Sequence, residues 1–99
     1  MAELFNDKEA KMFFEALMSL DSTEDCRELF LDLCTIKELE SMIQRYQVAR
    51  MLAKGKLYTE IVKETGASTA TISRVNRALS YGNNGYKKII AKCGDGIDE

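Results

Sequence analysis

"ETGASTATISR", residues 64–74, decides how the rest of the chain is read. A glycine closes one helical segment, and Ser68 stands where a side-chain oxygen caps the next. A core-facing segment would carry leucines where this one has Ser68, Thr69, Thr71 and Ser73. Working outward, "LYTEIVKET" (57–65) reads as a short helix before the turn, and Ser68 to about Ser80 as a second helix after it. Two short helices joined by a tight turn containing glycine form the helix-turn-helix layout. Ile61, Ala67, Ile72, Val75 and Leu79 are spaced to make the small core that fixes the angle between them.

The outer face of the second helix has a different character. Ser68, Thr69, Ala70, Thr71 and Ser73 are short, so the N-terminus of this helix can approach base edges and phosphates closely. Threonine can offer a hydroxyl to a base or its methyl to thymine. The unpaired N–H groups and the dipole at that terminus favour a phosphate. Arg74 and Arg77, further along, can clamp flanking phosphates or reach guanine. An ordinary helical hairpin would present apolar or long charged residues at these positions.

Upstream, residues Asn6 to Leu20 read as a helix, with Phe13, Leu17 and Leu20 at helical spacing beside Ala10, Phe14 and Met18. "LDSTED" breaks it, and Asp21 and Ser22 can cap a second helix. Cys26, Leu29, Phe30 and Leu33 form the apolar stripe of that helix, which ends near Cys34. "TIKE" places Thr35 and Glu38 as a capping box. The helix it starts runs to about Lys54, with Leu39, Met42, Ile43, Tyr46 and Ala49 on one face and Gly55 as its stop. Downstream of the motif, "YGNNG" reads as a loop and "YKKIIAK" as a short final helix or turn. No strand pattern and no internal repeat are evident.

The charges segregate along the chain. Residues 1–41 hold four Lys and Arg against eleven Asp and Glu, a net of −7, whereas residues 42–93 hold ten against two, a net of +8. The last six residues, "GDGIDE", add −3, so the overall net charge of −2 conceals a strongly basic half. Such asymmetry accompanies polyanion binding. Proline is absent and histidine is absent. Without histidine the common zinc sites lack ligands, and a serine or cysteine nucleophile lacks its usual base. Three cysteines without C-x-x-C spacing fit small apolar residues in a reducing compartment. No apolar run long enough to span a membrane occurs, and the acidic start lacks the layout of a signal peptide. A cytoplasmic location is expected.

The stretch from about Leu31 to Leu79 resembles the Trp repressor family, in its YerC/YecD-like branch. "ELGAGIATITR" in that family is similar to "ETGASTATISR" here, and "QRYQVARMLAKG" is similar to the long helix that precedes its motif. The resemblance implies an all-helical, intertwined dimer whose recognition helices enter successive major grooves. It implies DNA contact by Ser68, Thr69, Ala70, Thr71 and Ser73, and it matches Arg45 and Arg74 to the two arginines that hold an amino-acid corepressor. Two departures bear on that ligand. Val75 stands where the corepressor-binding members have a glycine that makes room for an indole, and Ala78 stands where they have a serine. Basic residues on their first motif helix are matched by Thr59 and Val62, leaving Lys63 as the nearest cation. Arg45, Arg74, Val75 and Ala78 are therefore read as the remnant of a corepressor site, without tryptophan as ligand.

The expectation is an all-α fold in a single domain, residues 1–99, with dimerisation helices in 1–55 and a helix-turn-helix in 58–80. The function expected is that of a sequence-specific DNA-binding regulator, a repressor, acting as a homodimer on an inverted-repeat operator in double-stranded DNA. Arg45, Lys63 and Arg77 join Ser68, Thr69, Ala70, Thr71, Ser73 and Arg74 as DNA contacts. No catalytic residue, metal, cofactor or membrane partner is expected. The alternative is a helical adaptor that binds protein through its acidic N-terminal half.

Overall fold

The computed structural model describes residues 7–97, and every regular element among them is helical. The order is α1 (Lys8–Met18), α2 (Thr23–Leu33), α3 (Ile36–Ala53), α4 (Tyr58–Thr65), α5 (Thr69–Tyr81) and α6 (Gly85–Ile97). The chain divides into two compact units, residues 1–39 and residues 40–99. No helix among the described residues is long and apolar enough to cross a membrane.

In the first unit, local hydrogen bonding sets each boundary. Asp7 caps α1 by accepting from the Glu9 N–H at 3.1 Å, and Asn6, the expected start, lies outside the described residues. Of the two expected caps for α2, Ser22 is the one used, its Oγ accepting from the Asp25 N–H at 3.0 Å. Thr35 and Glu38 form the reciprocal capping box: the Glu38 N–H donates to Thr35 Oγ1 at 3.0 Å. The Thr35 N–H donates to Glu38 Oε1 at 2.8 Å. Two orphan donors at the start of α3 are thereby satisfied. Neither α1 nor α2 contains a buried residue.

The second unit holds the core. Val48 and Ala49 of α3, Ile61 of α4, Ala67 of the turn, and Ile72 and Val75 of α5 are buried together. Met51, Leu52, Tyr86 and Ile90 pack around them. The stop of α3 is a double hydrogen bond: Gly55 N–H to the Leu52 carbonyl at 2.9 Å and Lys56 N–H to the Met51 carbonyl at 3.1 Å. Gly55, at φ +82°, supplies the left-handed residue that this motif requires.

Two expectations need correction. The expected apolar face of α3 includes Ala49, which is buried, and Ile43, which is 59% exposed in the single chain, but it omits Val48, which is fully buried. The helix buries its C-terminal half against α4 and α5, and that rotates the inward face toward residues 48 and 49. The last segment, expected as a short final helix or turn, is a helix of 13 residues and so longer than expected. Tyr86 and Ile90, four residues apart on α6, give it an apolar face that packs against the core.

Candidate nucleic-acid interface

The motif begins at Leu57, whose side chain has no cap to offer. The Glu60 carboxylate substitutes by accepting from the Leu57 N–H at 2.8 Å. Gly66, at φ +74°, then ends α4, its N–H donating to the Val62 carbonyl at 2.9 Å. Ala67 is buried and plugs the turn. Ser68 is the N-cap of α5, its Oγ accepting from the Thr71 N–H at 3.1 Å.

The six buried residues leave α5 with two distinct sides. Ile72 and Val75 face inward, while Ser68, Thr69, Ala70, Ser73, Arg74 and Arg77 are exposed. Thr71 is half-buried, and its Oγ1 accepts from the Ser68 hydroxyl at 3.1 Å. A hydroxyl that accepts from one side keeps its own proton to donate outward, so Thr71 remains able to meet a base acceptor. Lys63 is exposed near the end of α4, and Arg45 is half-buried on α3. The N-terminus of α5 carries no acidic residue in its first turn. The positive end of the helix dipole is thus uncompensated by its own side chains, which suits an approaching phosphate.

The expected corepressor residues are placed apart from the groove that the structure shows, except for Ala78. Val75 is 2% exposed and belongs to the core cluster. A groove of about 490 Å³ is lined by Tyr46, Ala78, Gly82, Asn83, Gly85, Tyr86 and Ile89. Of the four expected residues only Ala78 reaches it; Arg45, Arg74 and Val75 do not line it. Among the described residues no group of histidine, cysteine and acidic side chains is placed to hold a metal ion.

Sequence reasoning missed Gln44. Its side-chain amide donates to the Thr65 carbonyl at 3.1 Å, joining α3 to the end of α4. No local spacing could have signalled a pairing 21 residues apart.

The geometry has counterparts among known proteins. The family model described as Trp repressor protein matches residues 8–93. The YerC protein of Bacillus subtilis (strain 168) is 54% identical over 80 residues, covering 81% of this chain and 77% of that protein. The crystal structure of a TrpR like protein from Eubacterium eligens ATCC 27750 superposes with a TM-score of 0.86 at 44% identity, covering 90% of this chain and 92% of that one. A crystal structure from Staphylococcus aureus gives the same TM-score of 0.86 at 43% identity, over 91% of this chain and 90% of that one.

Proposed function

This chain belongs to the Trp repressor family, and from that premise we propose that it is a DNA-binding transcriptional repressor that acts as a homodimer on an inverted-repeat operator without tryptophan as corepressor. One observation carries the proposal. The Ser68-capped N-terminus of α5 presents Thr69, Ala70, Ser73, Arg74 and Arg77 to solvent while Ile72 and Val75 anchor its opposite side. Small polar residues at the tip fit a major groove, and the arginines behind them fit flanking phosphates.

The dimer is supported by the first unit. Phe13, Phe14, Met18, Leu31, Leu33 and Ile36 are all exposed, Met18 by 85%. That much uncovered apolar surface within one small unit calls for a partner surface. A two-fold dimer would set its recognition helices about 34 Å apart, one turn of DNA. The net +8 of residues 42–93 supplies the charge that such an interface needs.

Selection of bound sequences from random duplex DNA tests the proposal. The expected outcome is an inverted repeat with half-sites about one helical turn apart. Recovery of no preferred sequence, with binding instead to a protein through residues 1–41, would establish the adaptor reading.

A further inference from the structure

We propose that Gln44 is a positioning residue for the DNA-reading helix, clamping the end of α4 through the Thr65 carbonyl and thereby fixing the path of the chain into α5. The inference rests on the DNA-binding reading for its consequence, but not for its geometry.

The carbonyls at the end of a helix have no partner within it. Thr65 is the last residue of α4, and its carbonyl is met from another helix: Gln44 Nε2 donates to it at 3.1 Å in a partly buried bond. Gln44 lies one turn before Val48, which is fully buried in the core, so the amide is held by an anchored stretch of α3. The same threonine is used twice more. Its hydroxyl donates to the Ile61 carbonyl at 2.7 Å. That hydroxyl oxygen also accepts from the Ala67 N–H at 3.0 Å.

The bonds therefore run in sequence from α3 to Thr65, from Thr65 to Ala67, and end one residue before the cap of α5. Between the clamp and the cap stands Gly66, the residue with the widest backbone freedom in the motif. A flexible left-handed turn joining two short helices would let α5 swing. The bond from Gln44 and the bond to Ala67 bracket that glycine on either side and remove the freedom. Only a fraction of molecules lacking the clamp would hold α5 at the angle that reaches the groove, and apparent affinity falls by that fraction.

Gln44→Met tests this, because it keeps the length of the side chain and removes the donor. Measured on the selected duplex well below the thermal midpoint, the variant should bind about fivefold more weakly, the size expected for one net hydrogen bond. The salt slope of binding should stay unchanged, since no phosphate contact is removed. Hydrogen exchange at the Ala67 amide should quicken. Thr65→Ser, which keeps the hydroxyl, should bind like the parent, and Thr65→Val should resemble Gln44→Met. A lowered thermal midpoint with unchanged affinity and unchanged Ala67 exchange would reduce Gln44 to a packing role and overturn the proposal. Should Gln44→Met fail to fold, Gln44→Glu, which keeps the shape of the side chain and sets an acceptor in place of the donor against the Thr65 carbonyl, carries the same comparison. If the parent protein bound no duplex, the DNA reading would fall, and Ala67 exchange alone would decide the clamp: faster exchange in the variant sustains it, equal exchange rejects it.

Discussion

The two units of the chain are both built of capped amphipathic helices, yet they use their apolar residues in opposite ways. The second unit encloses Val48, Ala49, Ile61, Ala67, Ile72 and Val75. In the first, α1 and α2 contain no fully buried residue, Leu17, Leu29 and Phe30 are only half-buried, and Phe14 remains 46% exposed. Charge divides along nearly the same line, −7 over residues 1–41 and +8 over residues 42–93. Helical patterning alone thus does not reveal where a core will lie. A core needs apolar faces that short connections can bring together, and the tight turn at residues 66–68 does this for α4 and α5. The helices of the first unit leave large apolar side chains exposed.

The largest test of this contrast is thermodynamic. Ile72→Ala removes a fully buried side chain from the helix-turn-helix core and should lower stability by about 2–5 kcal/mol, read from urea unfolding. Met18→Ala, at a position 85% exposed, should instead show a cost that grows with protein concentration as the assembled form becomes the native state. Equal, concentration-independent losses at both positions would break the distinction between the units.

The second test addresses the covering surface. The double substitution Phe13→Asp with Met18→Asp places charge on the apolar face of α1. Each apolar side chain contributes about 1.5–3 kcal/mol when covered, so the dimer dissociation constant should rise more than tenfold. Sedimentation at micromolar concentration should show the parent as a dimer and the variant as a monomer. A parent that sediments as a monomer would leave those faces without the proposed partner.

A smaller effect sharpens the contrast in charge. Arg74→Ala should weaken binding to every duplex alike and reduce the salt slope by about one unit. Thr71→Ala should leave the slope alone and relax preference at one position of each half-site by about 1–3 kcal/mol. Competition binding at two salt concentrations separates the two behaviours. If both variants changed the slope, the basic half would not be divided between positioning and reading in this way.

The sequence made the boundaries legible wherever a local rule applied. Thr35 with Glu38, Gly55, Gly66 and Ser68 each announce themselves through chemistry that operates within four residues. The same locality made Ile61, Ala67, Ile72 and Val75 legible as one core, because the motif keeps them close in the chain, whereas Leu79, expected with them, is only half-buried. Val48 and Gln44 were less visible. Val48 is buried because of how α3 is rotated against α4 and α5, and that rotation is settled by packing across the unit, not by the spacing of residues 39–49. Gln44 reads as one more polar residue on a long helix until its partner carbonyl at Thr65 is in place. The length of α6 was hidden by "YKKIIAK", whose lysines mask the pairing of Tyr86 with Ile90.

The smallest expected effect is the response to L-tryptophan, which should be nil. The sequence resemblance implies that Arg45 and Arg74 correspond to arginines that grip a corepressor, and on that ground alone a tryptophan site would be expected. Packing opposes it. Val75 is 2% exposed among five other buried residues, and a β-branched side chain cannot rotate out of the way. Making room for an indole beside it means forcing packed atoms apart, at a cost of about 1–3 kcal/mol. Ala78 offers no hydroxyl to the ligand's ammonium group, which forgoes about 0.5–1.5 kcal/mol more. Together these would carry a micromolar site toward the millimolar range. Nor does the existing groove substitute for it, since neither Arg45 nor Arg74 lines it and its wall is mostly apolar. Calorimetry with millimolar L-tryptophan should give no binding heat, and operator affinity should be the same with and without the amino acid. A micromolar heat signal, or DNA binding that depends on tryptophan, would show that the core around Val75 opens more readily than its packing implies. Val75→Gly sets the opposite condition: it removes the buried side chain from the core, and any tryptophan response it gains would identify the valine as the element that keeps the motif independent of this ligand.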